Sequence, residues 1–179
     1  MPPDSAPALR EAQVWVVEDN DLYRETLAGL IEEAEGLRCA FAGASGEEAL
    51  AVLDAGHVPD IVLMDIGLTG MNGIAATRQI KARVPATRII MLTVHEENSA
   101  IFEAICAGAS GYLLKPSPAE HIVEAIQSVQ QGAAPINMYI AGKVLDMFSR
   151  LAVPAADYGL TAREKETLQL MTEGMTMRQ

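Results

Sequence analysis

Carboxylates, a hydroxyl and an ammonium stand at the ends of four short apolar runs in this chain. Glu18 and Asp19 follow Val14–Val17, Asp65 follows Ile61–Met64, Thr93 follows Ile89–Leu92, and Lys115 follows Tyr112–Leu114. Taken singly, each reads as a solvated loop residue. As a set they describe one site, because ligands of an open parallel sheet bind beyond the carboxyl ends of its strands. Three carboxylates drawn to one sheet edge repel by up to about 4 kcal/mol per close pair at an effective dielectric of about 20. A hard divalent cation relieves that repulsion, and Mg²⁺ takes oxygen ligands, waters and a phosphate rather than a closed protein cage. Lys115 adds positive charge beside the same anion, and the Thr93 hydroxyl can donate to a phosphate oxygen. The chemistry is phosphoryl transfer to a carboxylate. Asp65 is the candidate nucleophile, since it closes the central run Asp60-Ile-Val-Leu-Met-Asp65.

Such a site needs a sheet that delivers these residues to one edge. A fifth apolar run, Leu37–Phe41, joins the four above, and the runs alternate with helical patterns. Nearly continuous apolar runs predict strands buried on both faces, hence a doubly wound α/β fold with a five-stranded parallel sheet. The helical stripes are Leu27, Leu30, Ile31 and Ala34, then Ala49, Leu50 and Leu53, then Ile74 and Ile80, then Ile101 and Ile105, then Ile122, Ile126 and Val129.

Half of the 179 residues are hydrophobic and 21% are charged, enough apolar mass for one core and too much for a disordered chain. No apolar run reaches the roughly 18 residues of a membrane span, and Met1–Ala12 lacks a signal-peptide hydrophobic region, so the protein is expected to be cytoplasmic, with no membrane partner. Residues 1–134 hold 19 acids and 8 bases while residues 135–179 hold 5 of each, so the net charge of −11 lies in the first part, which should repel nucleic acid. Cys39 and Cys106 lack metal-ligand spacing and are expected to be buried and inert. His57, His95 and His121 are expected on the surface.

The motifs Val17-Glu18-Asp19-Asn20, Leu63-Met64-Asp65-Ile66, Met71-Asn72-Gly73, Leu92-Thr93 and Gly108-Ala-Ser-Gly-Tyr-Leu-Leu-Lys115-Pro116 resemble those of two-component response regulator receivers, over about residues 12–132. Leu160-Thr161-Ala-Arg-Glu-Lys-Glu-Thr-Leu168 resembles the opening of a LuxR-type helix-turn-helix, which places the chain in the NarL/FixJ class of transcription regulators. The resemblance implies a flavodoxin-like receiver in which Asp65 accepts a phosphoryl group from a sensor histidine kinase. It also implies that Glu18, Asp19, Asp65 and the Gly67 backbone carbonyl hold Mg²⁺, that Lys115 contacts the phosphoryl group, and that Thr93 and Tyr112 form a switch pair. The receiver would be a phosphoacceptor that takes part in its own phosphorylation and dephosphorylation rather than an enzyme, and it would form a homodimer when phosphorylated. Two positions depart from the family: Thr69 replaces the usual proline, which should loosen the loop after Asp65, and Val94 beside the switch threonine could narrow access to Asp65.

The expected division is an N-terminal tail (1–11), the receiver (12–132), a linker with a helix whose stripe is Ala141, Val144, Leu145 and Phe148 (133–158), and the start of an all-α helix-turn-helix domain (159–179). Thr161 and Glu164 would form a capping box there. The recognition helix of that class would lie beyond Gln179, so this chain is expected to hold no DNA-reading residues of its own and to meet DNA only through the missing part. Three rivals carry less of the sequence. Asp65-Ile-Gly67-Leu-Thr69 approaches the Asp-x-Asp-x-Thr motif of haloacid-dehalogenase-like phosphatases, but Gly67 stands where their general acid belongs. The loop Glu18-Asp-Asn-Asp21 lacks the glycines of a dinucleotide site and would repel a pyrophosphate. A phosphorylation-independent scaffold leaves the complete acidic set without a role.

Overall fold

A computed structural model describes residues 10–115, 117–151 and 163. The expected capping box and most of the helix-turn-helix start lie outside them. The chain divides into two compact units, residues 1–145 and 146–179.

In the first unit five strands, β1 (Ala12–Val17), β2 (Leu37–Gly43), β3 (Ile61–Met64), β4 (Arg88–Thr93) and β5 (Gly111–Leu114), alternate with α1 (Asp21–Glu33), α2 (Gly46–Asp54), α3 (Gly73–Arg83), α4 (Asn98–Ala107) and α5 (Ala119–Gln130). All strand pairs are parallel, as the apolar runs predict, and the sheet order is β2-β1-β3-β4-β5. β3 and β4 are buried along nearly their whole length, as strands covered by helices on both faces must be. β2 departs from that expectation. It lies at the sheet edge, and Arg38, Ala40 and Ala42 are exposed, alternating with buried Leu37 and Gly43 and half-buried Cys39 and Phe41.

The helices meet the sheet largely through the expected positions. Leu27, Ile31, Ala49, Leu50 and Leu53 are buried, as are Ile122, Ile126 and Val129. α4 is rotated from the expected stripe: Ile101, Ala104 and Ala107 face the core, so Ile105 and Cys106 point outward. The two cysteines are therefore not both buried, for Cys106 is exposed and Cys39 half-buried on the edge strand.

After α5 the chain returns along the free edge of β5, where Tyr112 N donates to Pro135 O at 2.9 Å and Tyr112 bridges Ile136 in parallel. The linker helix α6 (Met138–Leu151) then starts at Asn137, whose side-chain oxygen accepts from Ile140 N at 2.8 Å. Its expected stripe is half met, with Ala141 and Val144 half-buried. Ile140 is the fully buried residue, whereas Leu145 and Phe148 are 70% and 57% exposed. Because Ile140 fills a closed site, Ile140→Ala should destabilise the first unit by about 2–4 kcal/mol in urea unfolding. A loss below about 1 kcal/mol would mean that the linker helix is not part of that fold.

Candidate functional site

The sheet order sets β1 beside β3, and hydrogen bonds that continue the sheet ladder fix where the chain leaves each strand. Glu18 N donates to Gly43 O at 3.0 Å, Asp65 N to Val17 O at 3.0 Å, and Lys115 N to Thr93 O at 2.9 Å. The loop after β1 is short because Asn20 caps α1, accepting from Tyr23 N at 2.9 Å. The loop after β3 closes when Gly73 N donates to Ile66 O at 3.0 Å and Asn72 caps α3 through Ala75 N at 2.8 Å.

One carboxylate oxygen from each of Glu18, Asp19 and Asp65 falls within a cluster no wider than 4.8 Å. Glu18 and Asp65 are buried, at 1% and 5% exposure. Lys115 Nζ lies 2.7 Å from Asp65 Oδ2 and 2.9 Å from Glu18 Oε2. Three carboxylates against one ammonium leave a net charge of −2. The other oxygen of Asp65, Oδ1, is buried without a hydrogen-bond partner, an arrangement that costs roughly 1–3 kcal/mol unless a ligand satisfies it. An all-oxygen donor set, a deficit of two positive charges and an orphaned carboxylate oxygen together suit a hard divalent cation.

Burial pushes the Glu18 carboxyl above the usual carboxylate range, and the hydrogen bond from Lys115 offsets only part of that rise. For Lys115 the balance is reversed. Burial pulls the ammonium down, but hydrogen bonds to Asp65 and Glu18 outweigh it and leave the pKa raised. The ion pair thus secures the lysine charge more completely than the glutamate charge, because two carboxylates share one cation.

Around this centre the other expected residues fall into place unevenly. Thr93 ends β4 fully buried, its hydroxyl oxygen accepting from His95 N at 3.3 Å. The Tyr112 ring is buried, 2% exposed, with its hydroxyl donating to His95 O at 2.9 Å. Burial, followed by nearby acids led by Glu97, pushes the Tyr112 phenol well up, so it stays a donor. A Cβ at Gly67 would lie 3.7 Å from Asp65 Oδ2, which puts that backbone beside the nucleophile candidate. Val94 does not close the site. It is 65% exposed, on the rim of a groove it shares with Leu22, Tyr23 and Lys115.

Sequence reasoning missed three participants. Tyr23 donates to Lys115 O at 3.3 Å and sets its ring 5.5 Å from Lys115 Nζ, holding the lysine from the α1 side. His57 and His121 are exposed as expected, but His95 is half-buried and bonded to both Thr93 and Tyr112. The Thr69 hydroxyl donates to Asp19 Oδ2 at 2.9 Å. The spacing Thr93-x-His95 offered a hint for the second. The others depend on how helix and loop pack.

Residues 14–127 match the response regulator receiver domain. The chain belongs to that family. This receiver is 31% identical over 182 aligned positions to the transcriptional regulatory protein DegU of Brevibacillus brevis, covering 93% of this chain and 77% of DegU. It is 34% identical over 165 positions to LiaR of Bacillus subtilis, with 92% and 78% covered. Among solved structures, a LuxR-family two-component response regulator from Aurantimonas sp. SI85-9A1 superposes with a TM-score of 0.70 at 34% identity, over 77% of this chain and 98% of that one. The receiver's relatives are thus regulators of the NarL/LuxR type, in agreement with the sequence resemblance. No helix among the described residues is long and apolar enough to cross a membrane.

Proposed function

We propose that Asp65 is the phosphoacceptor of this receiver, taking a phosphoryl group from a sensor histidine kinase at an Mg²⁺ site made by Glu18, Asp19, Asp65 and the Gly67 carbonyl. The observation that carries this reading is the division of labour on Asp65: Oδ2 is held by Lys115 at 2.7 Å, while buried Oδ1 has no partner. When bound, the cation would supply charge neutralisation for the carboxylates and for the incoming phosphoryl oxygens.

The chain's own residues do the rest. Lys115 holds the Asp65 carboxylate in one orientation, so that one oxygen faces the incoming phosphorus. A bond forms from Asp65 to phosphorus as the bond to the donor's leaving group breaks, and the leaving group departs with its electron pair. Hydrolysis later returns inorganic phosphate and the free carboxylate, which makes the receiver a reactant in its own phosphorylation cycle rather than a turnover enzyme. The Thr93 hydroxyl, now an acceptor for His95 N, can turn to donate to a phosphoryl oxygen. Tyr112, bonded to the same His95 backbone, carries that movement towards β5 and the linker.

In this reading residues 12–132 form the receiver, 133–158 the linker and 159–179 the start of a LuxR-type output domain, in a cytoplasmic protein. Phosphorylation adds a charge of roughly −1.5 to −2 and favours a homodimer, with DNA engaged through the output domain. Incubation with acetyl phosphate and Mg²⁺ should add one phosphoryl group by intact-protein mass spectrometry and raise the sedimentation coefficient. Asp65→Asn, or chelation of the metal, should prevent both. A phosphoryl adduct that persists in Asp65→Asn would reject Asp65 as the acceptor.

A further inference from the structure

The loop between β3 and α3 carries Thr69, one of the two departures from the family pattern, and hydrogen bonds hold it at two points. Thr69 Oγ1 donates to Asp19 Oδ2 at 2.9 Å, joining the loop to the first acidic cluster across 50 residues of sequence. The loop is held from a second side as well. Glu47 Oε1, near the start of α2, accepts from Met71 N at 2.9 Å. Between these anchors Gly70 adopts φ +86, a left-handed conformation that turns Thr69 and Met71 towards their separate partners. The hydroxyl is therefore presented by a fixed backbone rather than by a free loop tip.

Asp19 has more need of such a support than its neighbours. Glu18 and Asp65 are buried and clamped by Lys115, whereas Asp19 is more open and makes no ion pair among the described residues. A carboxylate offers about four lone-pair sites on its two oxygens. One hydroxyl donor occupies a single site and leaves the others for a cation. A hydrogen bond to the ligand carboxylate fixes its rotamer, the role that partners outside the metal's own ligands play in other metal centres, where their loss costs about 10–100-fold in affinity.

From this geometry we propose that Thr69 is a positioning residue for the metal site, holding Asp19 in the ligating orientation and so setting the affinity for Mg²⁺. The proposal rests on the metal reading given above. A proline at position 69 would stiffen the backbone but would have no donor for Asp19. In this chain a side-chain hydrogen bond replaces backbone stiffness, and its effect falls on the cation rather than on the nucleophile.

Isothermal titration calorimetry with MgCl₂ on the full chain separates the possibilities. Thr69→Val keeps the shape and loses the hydroxyl, and it should weaken Mg²⁺ binding about tenfold. Thr69→Ser should bind within about twofold of the wild type. Because Thr69 is exposed, both variants should melt at the wild-type temperature, which excludes a general loss of structure. Asp19→Asn calibrates the site by removing the ligand itself. If the wild type binds Mg²⁺, Asp19→Asn does not, and Thr69→Val binds like the wild type, the positioning role is overturned while the metal site stands. If the wild type and Asp19→Asn are equally unable to bind Mg²⁺, the metal reading fails and this inference falls with it.

Discussion

Lys115→Met is expected to lose about 3 kcal/mol of stability at pH 7 and to slow phosphorylation by acetyl phosphate at least about 100-fold. The first effect follows from burial. Glu18 and Asp65 are almost wholly removed from water, and the variant would leave both carboxylates without the one cation they share, a change that costs several kcal/mol when one partner of a buried pair is deleted. The second follows from the loss of the donor that holds Asp65 Oδ2 and that, in the proposed function, would face the phosphoryl oxygens.

The pH dependence has a definite sign. The pKa of Lys115 is raised above 10.5 in the folded state, so its stabilisation is fully present below that value and is lost as pH rises through the higher folded value. The pKa of Glu18 is also raised, above 4.5, so protonation in acid favours the folded state. In the variant, with Lys115 gone, that relief becomes larger. The stability gap between wild type and variant should therefore be widest between the two titrations, close as pH rises through the raised lysine value, and narrow in acid as the unpaired carboxylates take up protons. Urea unfolding across that range checks all three segments, and equal stability at pH 7 would show that the ion pair is not a source of stability.

Gly73→Ala is expected to be more damaging, at about 3 kcal/mol or more. A Cβ at residue 73 would sit 1.8 Å from the carbonyl oxygen of Asp65, a backbone atom that cannot rotate aside. The same glycine donates its N–H to Ile66 O, closing the loop that carries Gly67 and Thr69. Accommodating the methyl group would push α3 away from the end of β3 or move Asp65 itself, and either shift disturbs a close-packed region. Thermal unfolding and phosphorylation should fail together. A variant with wild-type stability would mean that the approach of α3 to Asp65 relaxes easily.

The parallel sheet and most of the site were legible because they rest on local signals. Five apolar runs mark the strands, and Glu18, Asp19, Asp65, Thr93 and Lys115 each stand at or just past a strand end, where sheet topology alone brings them together. What escaped depends on rotation and approach between elements. Ile105 and Leu145 match helical stripes, yet α4 and α6 turn them outward because smaller Ala104 and Ala107, and Ile140, fit the available core space. The alternating exposure of β2 comes from its place at the sheet edge, which strand content cannot reveal. Tyr23 drew no reading and Thr69 promised only a looser loop, since their hydrogen bonds reach partners 92 and 50 positions away.

That distance has a consequence for when the site comes into being. The contact between Glu18 and Lys115 joins residues 97 apart, and the Asp65 contact another 50 apart, so no local fragment contains the site. Bringing such distant ends together costs about 4 kcal/mol in the length-dependent part of loop-closure entropy alone, and non-local pairing slows folding. During synthesis the acidic cluster emerges well before β5, as bare carboxylates with no ammonium among them. Lys115 arrives only when the last strand pairs with β4. On the proposed reading, a chain that has not paired its last strand is therefore mute.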